Sequence, residues 1–220
     1  MGQYYKPIIL KDNGKDIEAF VHPHTLDNGL KLMEHAYMGN SVPNSVVNYL
    51  KEHGAHKIVW AGDYAEARNG DEDNLYSQCP EGKELKTPKT ERDWNIRFLI
   101  NEDKKEYLDL ERVVSLDAWT IHPLPLLTAD GNGQGGGDYY GTDMDFVGSW
   151  AYDTISVSEK YPPIDYKRIE PLFLELGDIT RGLAVVAKAL ERLPIDIADD
   201  EWFKKNILES VAKIDKVKEW

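Results

Sequence analysis

The run DGNGQGGGDYYGTD, from Asp130 to Asp143, is the densest concentration of groups able to do chemistry. Six glycines fall within the twelve positions from Asp130 to Gly141. Without Cβ atoms, such a backbone can approach a ligand closely and offer it N–H groups. Asp130, Asn132 and Asp138 add hydrogen-bonding side chains, and Gly135, Gly136 and Gly137 supply the close approach. Tyr139 and Tyr140 offer faces that can stack on a planar ligand. Ordering so many glycines costs backbone entropy, and binding contacts are the expected compensation. The loop is not a Walker loop, because no Gly-Lys-Ser/Thr follows, and it is not a Rossmann turn. Asp130 and Asn132 imitate the start of a calcium loop, but the twelfth position is Gly141, where a bidentate carboxylate belongs. The plain alternative is a long hairpin connection.

Two other places can be joined to this loop. His122 lies just before it, at the expected end of a strand, where an imidazole can act as general base, hydrogen-bond donor or ligand anchor. Its plain alternative is a partly buried histidine at a strand end. Asp63 and Tyr64 follow a strand-like run and Gly62, placing an acid and an aromatic ring at a turn, although Asp after Gly is also an ordinary turn former. If these pieces converge, they form a site for a small polar ligand or a protein partner. The pairs His22/His24 and His53/His56 have spacings that can serve metals, but no third ligand accompanies either, so no metal or other cofactor is implied. No Ser-His-Asp order, nucleophile elbow or paired-carboxylate motif emerges, so the reading leans away from an enzyme.

The elements that must position these groups read as strands first and helices last. Tyr4 to Leu10 and Ile17 to Val21 suit a hairpin, with Asn13-Gly14 at a two-residue type I′ turn. Leu30 to Tyr37 fits a helix or a strand equally. A helix follows, with Pro43 in its first turn, Val46, Val47 and Leu50 on one face, and Gly54 ending it. Lys57 to Ala61 is β-prone, and residues 66 to 93 read as a long excursion with little regular structure. Ile96 to Ile100 and Tyr107 to Leu110 suit a second hairpin. Ala118 to His122 suits a strand closed by Pro123 and Pro125, and Phe146 to Trp150 with Thr154 to Val157 a third hairpin. Apolar stripes predict helices near 178–193, opened by Asp178, and near 199–218. The expected fold is a single α+β domain over residues 1–220: an antiparallel sheet built from hairpins over 1–160, with C-terminal helices packed on one face.

Composition narrows the functional classes. The 220 residues include 41% hydrophobic and 30% charged, enough for a core without staples. Cys79 is the sole cysteine, so an intrachain disulfide and a thiolate zinc site are both excluded. No leader pattern or membrane-length apolar run is present, which predicts a cytoplasmic protein. With 39 acidic side chains against 26 Lys and Arg, the net charge is −13. Such a surface repels phosphate backbones, so direct nucleic-acid binding is not expected. It aids solubility, and it can also occupy a basic groove on a partner.

Several blocks together look familiar: MGQYYKP (Met1 to Pro7), GLKLMEH (Gly29 to His35), VWAGDY (Val59 to Tyr64), HPLPLLTADGNG (His122 to Gly133) and VGSW (Val147 to Trp150). They resemble a set of small, functionally unnamed proteins encoded by bacteriophages and bacterial genomes, over roughly residues 1 to 158. The resemblance implies a bacterial host cytoplasm and supplies no reaction. The leading expectation is therefore a phage-associated binding protein without catalysis, occupying a host partner such as a defence component, or sequestering a small ligand. The rivals are an enzyme acting on a nucleotide-like or phosphorylated small molecule, with the glycine loop as lid, and a structural or assembly protein of the phage particle.

Overall fold

A computed structural model describes residues 1–68, 70–113 and 120–175. Residues Met1–Glu175 form one compact unit. The helices expected near 178–193 and 199–218, and residues 118 and 119 of the expected strand, lie outside the described residues.

The fold is α+β. Strands β1 (Tyr5–Leu10) and β2 (Ile17–Phe20) form the first expected hairpin, and β1 pairs on its other side with β3 (His56–Gly62), both antiparallel. The second hairpin, β4 (Phe98–Asn101) with β5 (Glu106–Asp109), is also present. Strand β6 (Ala129–Asp130) adds to β3 in parallel, β7 (Thr154–Ser158) joins β3 to β4, and β8 (Lys167–Arg168) adds to β5 in parallel. The sheet is therefore mixed and mostly antiparallel, in the order β2-β1-β3-β7-β4-β5-β8 with β6 branching from β3.

Alternation along the central strands builds two cores. Tyr5, Ile9, Ile58 and Trp60 face helices α1 (Leu32–His35), α2 (Ser41–His53) and α3 (Pro123–Leu127), whereas Ile8, Leu10, Val59 and Ala61 face the other way. That second face is covered by the long excursion, through Leu75, Tyr76 and Cys79. Among its described residues the excursion holds a single 3-10 turn, Glu81–Lys83. Helix α2 forms where local chemistry dictates. Asn40 accepts the Val42 N–H at 2.8 Å, Pro43 lies in the first turn, where its missing N–H costs nothing, and Gly54 ends the helix at φ +86°.

Three local expectations resolve differently, and the open one at Leu30 to Tyr37 resolves as a helix. The Asn13-Gly14 turn is not a two-residue type I′ turn, because only Gly14 has positive φ (+67°). Instead, Asn13 Oδ1 accepts from the Lys15 and Asp16 amides, and Lys11 N–H closes a longer loop onto the Asp16 carbonyl. The ambiguous stretch Leu30 to Tyr37 becomes the single turn of α1, and Tyr37 bridges Ile121. Pro123 and Pro125 do not close a strand. They open α3, where a proline at the first helical position needs no amide partner. Phe146 to Trp150 forms no hairpin with β7: the Gly148 and Trp150 amides donate to the carbonyls of Leu126 and Leu127, so this segment packs on α3.

Candidate functional site

The parallel pairing of β3 with β6 places the turn after β3 beside the start of the glycine loop, and the N-terminal arm runs between them. Asp63 Oδ1 accepts the Tyr4 N–H at 2.9 Å, and the Asp63 N–H donates to the Tyr4 carbonyl, also at 2.9 Å. Gly136 accepts from the Gln3 amide and donates to the Met1 carbonyl, both at 3.0 Å. Asn74 steadies the turn by donating to the carbonyls of Asp63 (2.8 Å) and Ala65 (3.0 Å). Two of the three places singled out in the sequence therefore meet, and the first residues of the chain join them.

The glycine loop is closed by its own side chains. Asp138 is buried, and its carboxylate accepts the N–H groups of Gly133 (2.7 Å) and Gly135 (2.9 Å) and the hydroxyl of Tyr5 (3.0 Å). Burial first, then the Asp138 charge, holds the Tyr5 phenol far above its usual range. Asn132 clasps Tyr139 in both directions, accepting its N–H at 2.9 Å and donating to its carbonyl at 3.1 Å. Tyr139 is fully buried, edge-on to Phe173, and Gly137 accepts the Met33 amide. The compensation for ordering these glycines thus includes bonds within the protein. Gly133, Gly135 and Gly136 have spent their amides there. Of the loop's two tyrosines, Tyr140 is the one that stands exposed.

Asp130 points elsewhere. Its carboxylate accepts a hydrogen bond from Tyr152 OH, and the Arg68 guanidinium stacks on the Tyr152 ring 3.4 Å from its centroid. Tyr152 holds φ +69°, an uncommon angle for a bulky residue.

His122 is not part of this gathering. It is buried at the start of α3, where its Nδ1 accepts the Leu124 N–H at 3.2 Å and its own amide donates to Ala36. A small void beside it is lined by Asn44, Val47, Asn48, Arg92, Ile96 and Leu110, with no residue of the loop or of the Asp63 turn. Burial, aided by Arg92, pushes its pKa down to about 3, so it is neutral at physiological pH. A second interior histidine had no distinguishing signal in the sequence. His35 is fully buried, donates from Nδ1 to the Gly29 carbonyl (3.0 Å), accepts the Trp60 indole N–H at Nε2 (3.1 Å), and is lowered to about 4 by burial. Both imidazoles serve the framework.

The surface of the converged end is aromatic and acidic. Tyr4 and Tyr64 stand exposed beside the reciprocal Tyr4–Asp63 bonds. From Asp63 to Asp73 the chain carries five carboxylates (Asp63, Glu66, Asp71, Glu72, Asp73) against one cation, Arg68. None of the five forms an ion pair among the described residues. Arg68 is committed to Tyr152. Lys6 is committed to Tyr76, donating to its carbonyl at 3.1 Å and lying over its ring. No group of three or more His, Cys, Asp or Glu able to hold a metal ion occurs among the described residues.

No protein family, curated protein or solved structure matches this chain. No helix among the described residues is long and apolar enough to cross a membrane.

Proposed function

We propose that this protein works without catalysis, by occupying a basic surface on a protein partner through the end of the molecule that carries Tyr4 and the turn from Asp63 to Asp73. One observation carries the reading: five carboxylates that form no ion pair among the described residues lie beside two exposed tyrosines, while the nearby cations Arg68 and Lys6 lie over the half-buried rings of Tyr152 and Tyr76. Uncompensated charge steers association with an oppositely charged surface. Tyrosine is enriched at interfaces because its ring buries area while its hydroxyl stays hydrogen-bonded. The blocks resembling phage-encoded proteins favour a bacterial host protein, such as a defence component, as that partner. The lid-bearing enzyme gains no comparable support, because the amides that would have held a phosphate at Gly133, Gly135 and Gly136 are bonded within the protein.

The test is capture from bacterial lysate with the wild-type chain and with a Tyr64→Ala, Glu66→Lys, Glu72→Lys, Asp73→Lys variant. Proteins with basic surfaces, retained by the wild type, released by raised salt and lost by the variant, are the expected result. An identical set retained by both proteins would show that this end is not the contact surface.

A further inference from the structure

Residues 88–95, which lead into β4, are fastened to α2 by their backbone. Asn48 donates to the carbonyls of Lys89 and Glu91, both at 2.9 Å, and Asn44 donates to that of Thr90, also at 2.9 Å. Lys51 holds the Asp93 carboxylate at 2.5 Å, and that carboxylate accepts the Asn95 amide at 3.0 Å. With these carbonyls turned to the helix, the segment borders an open depression of about 700 Å³, lined also by Asn48. That volume lies within the range of small-molecule clefts, about 300–1,000 Å³.

Trp94 is the aromatic ring of this depression. The Arg92 guanidinium lies over one face, 3.9 Å from the ring centroid, yet Trp94 is still 77% exposed, so its other face is open. A lone exposed apolar residue is ordinary, whereas an indole steadied by a guanidinium beside a cleft of ligand size is a platform. The polar side chains around it are uncommitted. Thr90, Glu91 and Asn95 spend only backbone atoms in their hydrogen bonds, and neither Glu91 nor Arg92 enters an ion pair among the described residues. Their roles are mixed: Glu91 only accepts, Arg92 only donates, and Thr90 and Asn95 do both. The carboxylate opposes an anionic ligand and the guanidinium opposes a cationic one.

We propose that this depression binds a neutral saccharide, with the C–H face of a sugar ring on Trp94 and its hydroxyls bonded to Glu91, Arg92 and Asn95. Sugar hydroxyls donate and accept at once, which answers a lining that is itself mixed. The C–H bonds on one face of a pyranose present slight positive charge to the negative face of the indole. The cleft is open and its lining is held by α2, so no part of the fold must move to admit the ligand. This site goes beyond the partner surface and does not depend on it, since it shares no residue with the turn from Asp63 to Asp73 or with Tyr4.

The test titrates the full chain, labelled with nitrogen-15, with maltotriose, cellotriose and chitotriose. The readout is the Trp94 indole N–H, which the spectrum of Trp94→Phe identifies among those of the six tryptophans. At least one trisaccharide should shift that signal saturably, with a Kd of about 1 mM or tighter. Trp94→Ala should weaken the binding about tenfold by calorimetry, and Trp94→Phe, which keeps an aromatic face, should retain most of it. Because Trp94 is exposed, both variants should melt with the wild type, which leaves binding as the change. The cationic trimer of glucosamine and the anionic trimer of galacturonate should bind more weakly than the neutral sugars. The proposal is overturned if no neutral trisaccharide moves the Trp94 signal at about 20 mM, if the affinity survives in Trp94→Ala, or if a charged trimer binds more tightly. The acidic turn is untouched by these variants, so failure here leaves the capture experiment standing.

Discussion

The two ends of α3 carry neighbouring parts of one sequence block and have opposite fates. At its N-terminal end, His122 is buried, with Nδ1 taken by the helix it caps. Beyond its C-terminal end, the glycine loop folds back on the N-terminal arm, beside exposed tyrosines, carboxylates that form no ion pair among the described residues, and the buried Gln3 amide, which finds no partner among them. Residue type nominated both ends equally. What separates them is where each polar group finds its partner: the first end is complete in itself, and the second leaves chemistry facing outward or unmet.

Acid should break the first end and produce the largest effect. His35 and His122 are neutral in the fold because burial depresses them, to about 4 and about 3. The unfolded chain takes up protons below about pH 6.5, so stability is lost as pH falls from there toward the folded values. At about 1.4 kcal/mol per pH unit for each group, unfolding at pH 5 should cost roughly 4 kcal/mol less than at pH 7. His122→Asn, which keeps a capping acceptor, should flatten about half of that dependence. Denaturant midpoints across the pH range check both statements, and a flat profile in the wild type would show the histidines to be hydrated.

The second end should break through Asp138. Asp138→Ala removes the acceptor of two loop amides and of Tyr5, for an expected loss of about 3 kcal/mol in equilibrium unfolding. Buried and bonded to three donors, Asp138 belongs to the framework and not to an open ligand site. The neighbouring glycines sharpen the point. Gly137 holds φ +90°, and a Cβ there would fall 2.2 Å from Lys31 Cδ, so Gly137→Ala should cost about 2 kcal/mol. At Gly136, whose φ lies outside the left-handed region, a Cβ meets nothing nearer than 3.6 Å, and Gly136→Ala should stay within about 0.5 kcal/mol of the wild type. Equal losses at the two positions would contradict the packing described here.

How much of this was legible in the sequence follows from the range of the interactions. The cap at Asn40, Pro43 and Gly54 is local chemistry, and α2 begins and ends where those residues place it. The first two hairpins are likewise short-range, although the geometry of the Asn13-Gly14 turn was not, because an Asx-type loop competes with type I′ for the same residues. Phe146 to Trp150 was misplaced because its partners, the carbonyls of Leu126 and Leu127, lie in another element. The glycine loop and the Asp63 turn were recognised as places of interest. The role of Asp138 was hidden because Tyr5, which donates to it, is 133 positions away. Gln3 carries no signal in the sequence, since an orphaned amide is visible only once every possible partner has been placed.

Smallest in stability should be the surface change: Glu66→Lys, Glu72→Lys and Asp73→Lys together should move the unfolding midpoint by less than about 0.5 kcal/mol, since none takes part in an ion pair among the described residues. Their effect belongs to association. The most direct measurement is therefore covalent labelling of carboxylates, comparing the free chain with the chain bound to a captured partner. Protection should concentrate on Asp63, Glu66, Asp71, Glu72 and Asp73, while Glu111 and Glu170, near the far edge of the sheet, label as before. Unchanged labelling from Asp63 to Asp73 in a formed complex would contradict the assignment of this end as the binding surface.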